Sequence, residues 1–155
     1  MLRPAWRFAL PMLAMLVAGQ AAAEPLPADV VKKIYEQAAV FCNGEDVAPT
    51  YTDKFMREVF DKPVADRYLA RLHKSQIDFD IFVDGQDCKL TNLVIEPLEA
   101  TAATAVVRAR FNNLGTARAI DFQFYQSTGV WMIPDMHYRH RRFTLRSYLK
   151  LKRRA

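Results

Sequence analysis

Hydrophobic and polar positions divide the chain into two halves with different periods. From Asp29, the run VVKKIYEQAAVF places Val30, Ile34, Ala38 and Phe41 on one face, which predicts an amphipathic helix ended by Asn43-Gly44. After a loop through Pro49, Thr52 or Asp53 is placed to cap a second helix with Phe55, Met56, Val59 and Phe60 apolar. Asp61 then precedes Lys62-Pro63, and proline is tolerated in a first turn. The third helix puts Val64, Tyr68, Leu69 and Leu72 on one side and Arg67, Arg71 and Lys74 on the other.

Beyond Ser75–Cys88 the period becomes that of strands. Lys89–Ile95 reads as a strand ended near Pro97. In Thr101–Asn112, Ala103, Ala105, Val107, Ala109 and Phe111 face one way and Thr104, Val106, Arg108 and Arg110 the other. The turn Asn112–Gly115 leads to a strand with Arg118, Ile120, Phe122 and Phe124 on one face, against Ala119, Asp121, Gln123 and Tyr125. Ser127-Thr128-Gly129 is the next turn, and Val130–Ile133 the last strand, closed by Pro134. Short turns between successive strands predict an antiparallel meander. Three helices followed by a meander define the α+β class, with helices on one sheet face and a short C-terminal helix over Phe143–Arg154. Trp131 is expected to be buried between the last strand and the first helices.

The hinge SQIDFDIFVDGQDC carries Asp78, Asp80, Asp84 and Asp87 around Gly85. With the three helices, the meander and a W-x-I-x-D ending at Trp131, Ile133 and Asp135, this DxDxFxDGQD-like segment resembles a family of secreted bacterial proteins of unknown function. They are similar to the nuclear-transport-factor-like, or cystatin-like, cone fold. The matching residues are Asp78, Asp80, Phe82, Asp84, Gln86 and Asp87, with Ile81 where a proline is usual. The resemblance spans residues 30–149. It implies a cone-shaped α+β domain that acts as a binding or immunity module, or hosts an isomerase; fold alone does not choose between them.

Composition and charge refine this picture. The 155 residues, 51% hydrophobic, suit one domain with a sizeable core. Met1–Phe8 carries Arg3 and Arg7, LPMLAMLVAG is a short apolar run, and Ala21-Ala22-Ala23 offers small residues at a cleavage site. This is a secretory signal pattern for residues 1–23, with an apolar run too short to span a bilayer as a stable helix, so a secreted, periplasmic location is expected. An uncleaved anchor is the other reading. In an oxidising compartment Cys42 and Cys88 are a candidate disulfide, worth roughly 4 kcal/mol in a chain-entropy model; two buried thiols are the alternative. The net charge of +5 falls to +3 without Arg3 and Arg7. Residues 24–135 hold 12 basic and 17 acidic side chains, whereas 139–155 hold eight basic and none acidic. The basic residues Arg142, Arg146, Lys150 and Arg154 recur at i, i+4, one stripe if that stretch is helical. The stripe reads either as a solvated tail or one paired with acids of the body, or as a docking site for an acidic protein face or anionic lipid.

Candidate chemistry is sparse. The hinge acids lack the alternation of an EF-hand loop, so turn formation, with Asp87 or Gln86 tying backbone donors, is the plainer reading than calcium. Asp121, Tyr125, Asp135 and His137 are the polar residues available to line a cone pocket, where a buried carboxylate would serve as a base; Asp121, alternating with phenylalanines, equally suits the solvent face. His73, His137 and His140 lack metal-ligand spacing, and no triad, phosphate loop, HExxH or CxxC is present. Phe122, Phe124, Tyr125 and Trp131 would offer a base-stacking platform, but secretion argues against nucleic acid and core packing explains them. No cofactor is implied. The expected function is a non-catalytic binding module, inhibitor- or immunity-type, that occludes a protein partner; the alternative is a small-molecule carrier or enzyme using the cone pocket.

The signal reading predicts a mature chain beginning at Glu24. Intact-mass measurement of exported protein checks this, and retention of Met1–Ala23 contradicts it.

Overall fold

A computed structural model describes residues 26–44 and 51–153; the expected signal segment, residues 1–23, and Arg154 lie outside the described residues. The elements are α1 Pro27–Asn43, α2 Asp53–Val59, α3 Lys62–Leu72, β1 Leu90–Ala100, β2 Thr104–Asn113, β3 Thr116–Ser127, β4 Val130–Tyr138 and α4 Leu145–Tyr148. The strands form an open antiparallel meander in the order β1-β2-β3-β4, and the fold is α+β. No described helix is long and apolar enough to cross a membrane.

Local chemistry accounts for the element ends. The Thr52 hydroxyl accepts the Phe55 N–H at 3.1 Å and starts α2; an Asp61 carboxylate oxygen accepts the Val64 N–H at 3.1 Å and starts α3. The β2–β3 and β3–β4 hairpins each turn on two positive-φ residues, Leu114-Gly115 (48° and 77°) and Thr128-Gly129 (49° and 84°). Two-residue turns of that kind match the twist of paired strands. Cys42 and Cys88 are disulfide-bonded with Cα atoms 4.9 Å apart, tying the end of α1 to the start of the sheet.

Two prolines were expected to end strands and do not. β1 continues through Pro97 and β4 through Pro134. Both are edge strands, and both prolines sit beside register shifts, at Pro97/Glu99 and opposite Gln123/Tyr125. A proline costs no ladder bond at such a place. The outer edge of β4 is covered as well: the Asp61 N–H donates to the Ile133 carbonyl at 3.1 Å, and His137 bridges to Thr144. The C-terminal helix is shorter than expected, because Lys150 takes φ 58°, which a right-handed helix cannot contain. On α1 the buried face is Val31, Ile34, Tyr35, Ala38 and Cys42, so Val30 and Phe41 lie at its margins. Trp131 is half-buried rather than buried; it lines a groove with Val30, Val59 and Val130 and the charged Asp29, Lys33 and Glu58.

The inner sheet face presents Ala105, Val107, Ala109, Phe111, Ile120, Phe122, Phe124 and Met136, all buried. What fills it, besides the helices, is the hinge. Ile81, Phe82 and Val83 are each 0% exposed, and Phe82 lies stacked between Phe60 and Phe122, at 5.8 and 6.4 Å. A turn buried this deeply must find partners for its peptide groups. The Tyr138 hydroxyl donates to the Ile81 carbonyl at 3.0 Å and the Tyr35 hydroxyl to that of Phe82 at 2.9 Å. The Asn113 amide donates to the carbonyls of Val83 and Asp87, at 3.1 and 3.2 Å. Its oxygen accepts the Lys89 N–H at 3.0 Å. Gly85 is required by space: a Cβ there would stand 2.8 Å from the Asn113 amide nitrogen.

Tyr35→Phe and Tyr138→Phe each remove one donor and strand one buried carbonyl. Each is expected to cost about 1–3 kcal/mol, measured by urea unfolding. Losses within about 0.5 kcal/mol, the range of ordinary surface changes, would mean that water satisfies these carbonyls.

Candidate functional site

The residue after the buried turn sets up the site. Asp84 takes φ 52°, and its side chain is fully buried. A buried carboxylate is costly unless opposite charge reaches it. Three cations do. Arg118 Nε stands 3.7 Å away from β3, Arg141 Nε is 2.5 Å away in the segment after β4, and His140 Nε2 contacts the same carboxylate. None of these contacts has hydrogen-bond alignment, and Arg118 Nε also lacks a hydrogen-bond partner. The cluster is therefore held by charge more than by directed bonds.

Beside it the chain after β4 forms a groove of about 430 Å³ lined by Arg139, Arg141, Arg142, Arg146, Arg153 and His137. These arginines differ in what they already hold. Arg146 is structural: its guanidinium donates to the carbonyls of Lys152 (2.9 Å) and Pro134 (3.3 Å) and lies 3.6 Å from Asp61. Arg141 serves Asp84 and lies over the Phe79 and Phe143 rings, 5.2 and 5.4 Å from their centroids. Arg142 and Arg153 are exposed and make no ion pair or hydrogen bond among the described residues. Arg139 also lines an adjoining hollow of about 450 Å³ with Arg110, Arg118 and His140.

The expected stripe is thus dispersed. Arg142 and Arg146 reach the groove and Lys150 does not; it lines a separate hollow with Arg67, Arg71 and Lys74. Arg154 lies outside the described residues.

The four pocket candidates sit on the outer sheet face, opposite the packed interior. Asp121 pairs across the sheet with His137 and Gln123 with Asp135, alternating with the buried pair Phe122–Met136. Asp121 accepts two bonds from Arg108, at 2.6 and 2.9 Å, with Arg139 at 3.7 Å. This pairing pushes the Arg108 guanidinium pKa further up. One Asp135 oxygen accepts the N–H groups of Met136 and Arg146, both at 2.9 Å, and the other lies 3.8 Å from His137. Tyr125 is half-buried opposite Thr104 and Met132.

The acidic hinge separates into four roles. Asp78 accepts the Tyr148 hydroxyl at 3.0 Å. Asp80, rather than Asp87 or Gln86, ties the backbone donors: it accepts the N–H groups of Phe82 (2.7 Å) and Val83 (3.3 Å) and the Tyr51 hydroxyl (3.1 Å). Burial raises the Asp80 pKa against those hydrogen bonds. Asp84 anchors the cations, and Asp87 is exposed. Among the described residues, no group of three or more His, Cys, Asp or Glu is arranged to hold a metal ion.

Arg118, Arg141, His140 and Asn113 went unrecognised in the sequence as parts of this site. One signal was available: Arg118 shares a strand face with Ile120, Phe122 and Phe124, and a charge on a core face needs a partner. No family model, curated protein or solved structure matches the chain.

Asp84→Asn removes the charge that Arg118 and Arg141 share. Breaking one side of a buried ion pair costs about 3–5 kcal/mol; the low end is expected because the cations keep partial contact with solvent. Chemical denaturation checks this, and an unchanged midpoint would contradict it.

Proposed function

We propose that this chain is an extracytoplasmic, non-catalytic binding module of inhibitor or immunity type, which occludes a protein partner by docking its basic groove on an acidic face. The supporting observation is the division of charge across the sheet. The inner face is filled by Phe82 and its neighbours, while Arg139, Arg142 and Arg153 stand at the surface beside a groove. Asp121 and Asp135, which a cone-pocket enzyme needs inside, lie on the outer side and hold an arginine and backbone amides. The Cys42–Cys88 disulfide agrees with an oxidising compartment. Exposed arginines beside a groove give long-range steering and salt-sensitive affinity.

Partner capture from periplasmic extract, followed by titration of the captured protein, tests this reading. Arg142→Glu with Arg153→Glu is expected to weaken binding by about tenfold or more, since juxtaposed like charges cost several kcal/mol. Folding stability should change by no more than about 0.5 kcal/mol per exposed site, and wild-type affinity should fall with added salt. Undiminished binding by the double variant overturns the reading. Binding to anionic liposomes in place of any protein overturns the partner class.

A further inference from the structure

The buried acids Asp61, Asp84, Asp121 and Asp135 each stand beside a basic side chain, whereas the partly buried Asp80 does not among the described residues. Asp61 has Arg146 at 3.6 Å, Asp84 has Arg118 and Arg141 with His140 in contact, Asp121 has Arg108 and Arg139, and Asp135 has the His137 imidazole at 3.8 Å. Asp80 has no cation within ion-pair distance among the described residues. Its three hydrogen bonds come from two amides and a phenol, which orient the carboxylate without cancelling its charge. A carboxylate has about four acceptor positions, so one remains.

Asp80 lines a hollow of about 310 Å³ with Phe41, Tyr51, Tyr68, Phe79 and Asp78, completed by Leu72, Ile77 and Gln86. Among the described residues, no cationic side chain lines it. Arg71, on the same helix as Tyr68, is turned to the carbonyls of Tyr148 (2.7 Å) and Gln76 (2.9 Å). Burial pushes the Tyr51 and Tyr68 hydroxyls above their usual range, with the Asp80 charge adding to the shift, so both rings remain neutral. Arg141 already lies over the Phe79 ring, 5.2 Å from its centroid; the Phe41, Tyr51 and Tyr68 rings beside a carboxylate without an ion-pair partner are the complement of an organic cation, the rings attracting it by their quadrupoles and the carboxylate supplying the charge.

We propose that this hollow is a binding site for an alkylammonium group, the head of a lysine side chain or of a free primary amine. It is separate from the basic groove, which repels such ligands, and does not depend on the docking reading. A lysine from a partner would place a cation here while the partner's acids meet the arginines.

The test follows backbone amide shifts of Phe82 and Val83, whose N–H groups point at Asp80, during titration of the mature chain. The probes are n-butylammonium, the blocked tripeptide acetyl-Gly-Lys-Gly-amide and neutral n-butanol. Saturable shifts with either ammonium probe, at least about tenfold tighter than with butanol, are expected from one charge-assisted contact. Tighter binding of the peptide assigns the site to lysine, and of butylammonium to a free amine. Asp80→Asn keeps an oxygen for the two amides and should weaken binding at least about tenfold. Leu72→Lys sets an ammonium at the rim and should abolish probe binding in a folded protein. Failure of both ammonium probes to saturate, equal binding of butanol, or unweakened binding by both variants overturns the proposal.

Discussion

Everything in this molecule depends on burying the turn Ile81-Phe82-Val83 without leaving its peptide groups unpaired. Loops normally run over the surface because water satisfies them there. Here three successive carbonyls are met by Tyr138, Tyr35 and Asn113, and two N–H groups by the Asp80 carboxylate. The Asp84 N–H closes on the Asp80 carbonyl at 2.9 Å. The donors come from α1, the end of β2 and the end of β4, so the turn fixes the helix and the sheet relative to each other. Burial, followed by the charges of Asp80 and Asp84, holds the Tyr35 and Tyr138 hydroxyls well above their usual pKa, and they stay protonated donors.

That constraint decides where charge goes. A turn that carries Phe82 into the core also carries Asp84 to a position with no water, and Arg118, His140 and Arg141 follow it. Part of the basic C-terminal segment is thus counter-charge for the fold. Arg146 belongs to that part too, joining the last helix to Pro134 and Asp61. Among the described residues, the remainder of that segment's positive charge is Arg142, Lys150, Lys152, Arg153 and, 3.7 Å from Asp121, Arg139. The same filling of the inner face by Phe82 and its neighbours leaves Asp121 and Asp135 on the outer face of the sheet.

The sheet was legible in the sequence because its inner face is continuous. Ala105, Val107, Ala109 and Phe111 alternate without a break, as do Ile120, Phe122 and Phe124. The cap of α2 was legible down to Thr52 or Asp53, because a capping side chain acts on its own backbone, whereas the capping role of Asp61 on α3 was not read. The edges were less so, since Pro97 and Pro134 look like strand ends until one knows that both strands are outermost. The last helix was misjudged because spacing at i, i+4 describes a stripe only while the backbone stays helical, and Lys150 leaves that region. The buried turn was the least legible. Three apolar residues between aspartates carry no period, and the groups that satisfy them lie 30 to 57 residues away.

Native-state hydrogen exchange at the amides of Phe82, Val83 and Asp84 tests this account most directly. If the turn is the element on which helix and sheet are assembled, these amides open only with the whole molecule. Their exchange free energies should then equal the global unfolding free energy and match those of the central strands β2 and β3. Exchange of the three amides well ahead of β2 and β3 would mean that the turn opens by itself, and the account would be wrong at its centre.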